Sequence, residues 1–265
     1  MFTALLISLK ALASSKPGTD TLTMSNTTDG ATAVLAGNIT GVDAIVLNDV
    51  VAGADATINT GAYTLDATFV KSMSVDASSL DAGEDFTFGG SSSVTRMDIT
   101  AGAGNDALTL GTIADTVDAG AGNDTVVGTS GGNNISLGAG NDSLTAGTGN
   151  EVVDGGAGND TFNLGANLNS GDSIDGGAGT DELIATITSS VTPSVMSGVE
   201  KITVLTQTNA ATLDLVNATG VTDVTSAGST TATTLQGFGS ATNVTLRDTA
   251  QNQTVTYNDV TGSSD

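Results

Sequence analysis

The chain of 265 residues has no cysteine, no histidine and no tryptophan, and it carries six Lys and Arg against 29 acids. Without cysteine there is neither a disulfide framework nor a thiolate metal site. Without histidine no Ser–His or Cys–His nucleophile pair and no imidazole zinc site can be assembled, so enzymatic function is not expected. A formal net charge of −23 speaks against nucleic acid or an anionic membrane as partner, since both are held by basic patches. Cations are the natural ligand of such a chain. Aromatic residues make up 3%, so a core must be filled by small and branched side chains. No apolar run is long enough for a transmembrane helix, and membrane insertion is not expected.

What the chain has is glycine, 35 residues of it, and an order in which it recurs. From residue 101 a register of nine residues runs without a slip to 163, takes a three-residue insertion, and resumes at 176. Each nonamer has a glycine-rich front, an acid or its amide at the sixth place and an apolar residue at the eighth. The sixth places are Asp106, Asp115, Asp124, Asn133, Asp142, Glu151, Asp160, Asp172 and Asp181; the eighth run from Leu108 through Val126 and Phe162 to Leu183. Between Arg96 and Lys201 there is no basic residue, while 101–184 holds 12 acids. A solvated disordered acidic stretch needs no such lock between glycine, acid and aliphatic residues.

The nonamers, read as GGxGxDxUx, resemble the calcium-binding repeats of RTX proteins. The resemblance implies a parallel β-roll, in which six residues make a calcium-binding turn and three make a strand. Two nonamers complete a coil, and acids of neighbouring turns on one side share an ion. The residues fit that chemistry. Calcium takes six to eight oxygens from carboxylates and carbonyls, more than one short turn supplies, so turns must stack. Carboxylates about 5 Å apart repel by about 0.8 kcal/mol per pair in water and about 3 kcal/mol at an effective dielectric of 20. Binding and folding are therefore expected to be one event.

If a coil is two nonamers, residues eighteen apart share a side. Side one then carries Asp106, Asp124, Asp142, Asp160 and Asp181 in well-formed turns. Side two carries Asp115, Asn133, Glu151 and Asp172 in damaged ones: Ile113 stands where glycine belongs, Asn133 lacks the charge, Glu151 is a carbon longer, and the turn before Asp172 holds the insertion. The expectation is a one-sided ladder of about four calcium ions between the five side-one turns, with side two weak or silent.

Four parts follow: a helical cap or leader over 1–17, with Phe2, Leu5, Leu6, Leu9 and Leu12 at helical spacing; a degenerate solenoid flank over 18–100; the calcium-binding roll over 101–184; and a second flank over 185–265 that breaks off within a further unit. The flanks share a duplication, Gly41-Val42-Asp43 with Ile45 and Leu47 answering Gly198-Val199-Glu200 with Ile202 and Val204. Strand centres fall eleven residues apart at Val75, Phe86, Met97 and Leu108, and again at Ile202, Leu213, Val224, Leu235, Leu246 and Tyr257. The fold class expected is all-β, a parallel β-solenoid with a central RTX roll; an antiparallel sandwich is the alternative for the flanks.

The stretches 75–88, 197–204 and 261–265 further resemble RTX-containing bacterial surface-layer proteins and large adhesins. That resemblance implies a calcium-dependent structural module, extracellular or at the cell surface, exported by a type I-like route. Its partners would be calcium, other copies of itself or other surface components. The alternatives are a secretion and folding module of an RTX enzyme or toxin, and an ice-binding adhesin. For ice binding, Ala103, Ala121, Ala139, Ala157 and Ala178 stand where an outward threonine row is expected.

Overall fold

The computed structural model describes strands at 5–7, 21–25, 33–36, 44–48 and 56–59, and then residues 72–90, 96–207, 209–238, 242–247 and 252–257. The N-terminal flank holds β1 (Leu5–Ile7), β2 (Thr21–Ser25), β3 (Ala33–Ala36), β4 (Ala44–Asn48), β5 (Ala56–Asn59), β6 (Ser72–Asp76), β7 (Phe86–Gly89) and β8 (Arg96–Thr100). The nonamers supply β9 (Ala107–Thr109), β10 (Thr116–Asp118), β11 (Thr125–Val127), β12 (Asn134–Ser136), β13 (Ser143–Thr145), β14 (Val152–Asp154), β15 (Thr161–Gly165), β16 (Ser173–Asp175) and β17 (Glu182–Ile187). The C-terminal flank adds β18 (Val195–Ser197), β19 (Lys201–Thr206), β20 (Ala211–Asp214), β21 (Asp223–Ala227), β22 (Thr233–Phe238), β23 (Asn243–Arg247) and β24 (Thr254–Tyr257).

Every pairing is parallel, and each strand pairs with the next but one. Odd strands β1 to β23 form one twelve-stranded sheet, even strands β2 to β18 a nine-stranded one, and β20, β22 and β24 a third. Parallel neighbours need a long connection, and here a turn, a strand of the opposite sheet and a second turn provide it. In the roll the step is eighteen residues, as Val126 pairs with Leu144 and Val117 with Ile135. The insertion lengthens one coil, so Phe162 pairs with Leu183 and Val153 with Ile174. Among the described residues flanks and roll form a parallel solenoid, and the pairing there is not that of an antiparallel sandwich.

The core is a thin seam between the two sheets. Leu108, Val126, Leu144, Phe162 and Leu183 enter from one sheet and Val117, Ile135, Val153 and Ile174 from the other, each at most 3% exposed. Each contributes about 1.5–3 kcal/mol of apolar burial, which only stacked coils can realise. The first place of the nonamer also faces inward: Leu110, Leu137 and Leu164 are buried. Where Gly155 takes that place, the ring of Phe162 fills the space, its Cζ lying 2.8 Å from where a Cβ would stand.

Two expectations are corrected. Leu5–Ile7, read as part of a helix, is a strand paired with Ala33–Leu35, and no helix occurs among the described residues; the rest of 1–17 lies outside them. A short apolar run serves a helix or a strand equally, and here it pairs in parallel with β3. The eleven-residue step places a strand at every centre named, but Leu246 is 46% exposed and Val244 packs inward instead. Alternation flips every side chain when the phase moves by one residue. The duplicated β4 and β19 lie in opposite sheets, half a coil out of phase. The unit expected to begin at 262–265 lies outside the described residues.

Candidate metal centre

The side-one turns are closed by glycine under compulsion. Gly122 and Gly140 have φ of +118° and +148°, a region costly for residues with a Cβ. A Cβ on either would stand 1.9 or 1.7 Å from the carbonyl oxygen of Gly104 or Gly122 one coil back. The turns therefore stack backbone on backbone. Hydrogen bonds from Ala121 N–H to the Gly102 carbonyl at 3.0 Å and from Ala139 N–H to that of Gly120 at 2.9 Å tie them together. The carbonyls at the first and fourth places, such as those of Leu137, Gly155, Gly122 and Gly140, accept none of these bonds.

Against this stack the sixth-place acids form a continuous ladder. Asp106, Asp124, Asp142, Asp160 and Asp181 are all at most 2% exposed. One oxygen of each carboxylate accepts the backbone N–H of the rung before it. Asp106 N–H donates to Asp124 Oδ1 at 2.7 Å, Asp124 to Asp142 at 2.7 Å, Asp142 to Asp160 at 2.8 Å and Asp160 to Asp181 at 2.7 Å. The second oxygens differ. Asp106 Oδ2 takes a long bond of 3.2 Å from Gly102 N–H, whereas Oδ2 of Asp124, Asp142, Asp160 and Asp181 is buried with no partner. A buried charge without a partner is strongly disfavoured. Burial pushes the Asp124 carboxyl up to about 7, with Asp106 and Asp142 adding to it, and the Asp160 carboxyl up to about 6. Burial likewise raises Asp106, Asp142 and Asp181.

Side two builds the same ladder with a different ending. Met97 N–H donates to Asp115, Asp115 to Asn133, Asn133 to Glu151 and Glu151 to Asp172, at 2.7–3.0 Å. The substitutions that break the consensus thus still fit the rung. Here, however, the chain supplies its own donors. Asp115 Oδ2 accepts Gly111 N–H at 2.8 Å and Asp172 Oδ2 accepts Asn169 N–H at 2.8 Å. Thr129 and Ser130 hydroxyls donate to the carbonyls of Gly111 and Thr112, and the Asn167 and Asn169 amides to those of Ala146 and Gly149. No side chain donates to a side-one turn carbonyl among these bonds. The partnerless side-chain atoms of side two are Glu151 Oε1 and Asn133 Nδ2, an acceptor and a donor.

No three acids converge on one point among the described residues, so a cation here must draw most of its oxygens from the backbone. Side one meets that demand, with orphaned carboxylate oxygens beside carbonyls that nothing else occupies. Hard oxygen donors in that number suit calcium.

Two features escaped the sequence reading. The fifth-place asparagines form an outer ladder, with Asn123 N–H donating to Asn105 Oδ1, Asn141 to Asn123 and Asn159 to Asn141, each at 2.7 Å. The repeated Asn before each side-one Asp was its signal. The acid ladder also extends past the nonamers, since Asp181 N–H donates to Glu200 Oε2 at 2.8 Å. At the other end it stops, because Phe86 occupies the equivalent rung and donates its N–H to Asp106 Oδ1.

The chain matches the family of the RTX calcium-binding nonapeptide repeat in four copies, over residues 98–126, 127–162 and 169–186. The match covers about a third of the chain and falls on the segment where both ladders stand. No curated protein and no solved structure matches the chain. Among the described residues no helix is long and apolar enough to cross a membrane.

Proposed function

We propose that this chain, whose residues 98–126, 127–162 and 169–186 match RTX calcium-binding nonapeptide repeats in a number that fits about four ions, is a calcium-switched structural module of a secreted bacterial surface protein, of surface-layer or adhesin type. The observation that carries the reading is the set of four buried, partnerless carboxylate oxygens on one side of the roll, at Asp124, Asp142, Asp160 and Asp181. With Asp106 they are the residues that would hold calcium, helped by the open first- and fourth-place carbonyls. Bound calcium supplies the positive charge that the acidic column lacks. The chain's own part is to hold the carboxylates in line, through the N–H to Oδ1 bonds, and to exclude water from them by stacking.

Such a column resists folding where calcium is scarce and favours it where calcium is abundant. Extracellular calcium modules bind at about 10⁻⁴–10⁻³ M, far above resting cytosolic supply, so export unfolded and folding outside follow from the same physics. The role is mechanical rather than catalytic: a solenoid whose N-terminal flank continues both sheets of the roll, and whose C-terminal flank carries the twelve-stranded one on to β23, acts as a stiff spacer or lattice element. Lateral partners in this reading are other copies of the chain or other surface components. Circular dichroism during a calcium titration tests it, with β signal expected to rise cooperatively. Full β structure in excess chelator would remove the switch and with it the proposal.

A further inference from the structure

The ladder does not end where the nonamers do. Glu200 lies in the short turn between β18 and β19, outside the matched repeats, yet its Oε2 accepts the Asp181 N–H at 2.8 Å as each aspartate accepts that of the rung before. The backbone repeats as well. Where a Gly155 Cβ would stand, the Gly176 carbonyl oxygen lies at 2.5 Å and Asp160 Oδ2 at 2.8 Å; where a Gly176 Cβ would stand, the Gly198 carbonyl oxygen lies at 2.0 Å and Asp181 Oδ2 at 2.7 Å. Gly198 has φ of +61°, which lets a turn shorter by three residues present its carbonyl at that point. Asp181 is fully buried and its Oδ2 has no partner. The N-terminal end is built otherwise, with Phe86 in the acid's place and the second oxygen of Asp106 satisfied by Gly102.

From this we infer that the gap between turn 176–181 and turn 198–200 is a further calcium site, closed by Glu200 and by the Gly198 carbonyl. It rests on the proposed calcium reading and extends it. The ion there joins the roll to the C-terminal flank, since Lys201 N–H bonds the Asp181 carbonyl at 3.0 Å and Asp223 N–H the Glu200 carbonyl at 2.9 Å. Order imposed at Glu200 therefore passes into β19 and β21.

The test counts calcium bound to the whole chain by equilibrium dialysis, in the wild type and in Glu200→Gln and Glu200→Ala. Glutamine keeps an amide oxygen for the Asp181 N–H and removes the charge, so the coil remains capped. One ion fewer per chain in Glu200→Gln, with unchanged circular dichroism in excess calcium, is the expected result. An unchanged count in Glu200→Gln overturns the inference while leaving the side-one ladder standing. A drop seen only in Glu200→Ala makes Glu200 a hydrogen-bonding cap and overturns it too. No calcium on the wild type sinks this inference and the proposed function together.

Discussion

Replacing Asp142 by asparagine should shift stability in opposite directions with and without calcium. Asp142 is the middle rung of side one, with Asp124 N–H on its Oδ1 at 2.7 Å and its own N–H on Asp160 at 2.8 Å. Asparagine retains the oxygen that accepts the first bond and replaces the partnerless Oδ2 by an amide nitrogen. Parallel strands stack about 4.8 Å apart, so each like-charged neighbour costs about 0.9 kcal/mol at the dielectric of water and about 3.5 kcal/mol at 20. Asp142 has two such neighbours, Asp124 and Asp160. Burial keeps part of the column protonated near neutrality, so the smaller figure applies, and the variant gains about 2 kcal/mol in chelator. In calcium at a hundredfold its dissociation constant each ion contributes about 2.7 kcal/mol, and Asp142 borders two gaps. The variant then loses about 3–5 kcal/mol. At about 2–4 °C per kcal/mol for a chain of this size, its melting temperature falls by about 10 °C in calcium, while in chelator, where the acidic column opposes folding, its residual β signal rises above that of the unsubstituted chain. Thermal melts followed by circular dichroism in the two buffers measure both. A shift of the same sign in both would refute the reasoning, because a merely structural aspartate has no reason to change sign with the cation.

Acid should partly replace calcium. A carboxylate whose folded value is raised contributes stability that is fully present below its unfolded value, 3.8 for aspartate, and is lost as pH rises through the folded value, about 6 for Asp160 and about 7 for Asp124. In chelator, β signal is therefore expected to grow as pH falls from about 8 to about 4, and to be flat over that range in saturating calcium; a flat profile in chelator removes the uncompensated column. Glu151→Gln on side two should leave the number of bound ions unchanged, because the Gly111, Thr112, Ala146 and Gly149 carbonyls of that side already take Thr129, Ser130, Asn167 and Asn169. Equilibrium dialysis that counts a lost ion would show side two to be occupied.

By itself the sequence determined the coil, its two faces and the rung positions. Glycine, acid and aliphatic residue recur within nine residues, and the stereochemistry of each turn depends on residues inside it. The line of Asp106, Asp124, Asp142, Asp160 and Asp181 was legible for that reason. The tertiary structure decided what depends on contacts one coil away. Such contacts determine which carboxylate oxygens stay without a partner and which carbonyls are taken by hydroxyls and amides. They also draw Leu5–Ile7 into a strand and align Glu200 with the aspartates despite a shorter turn and a longer side chain. Those outcomes come from atoms eighteen to twenty-eight residues apart meeting across neighbouring coils, and a nine-residue pattern carries no record of them.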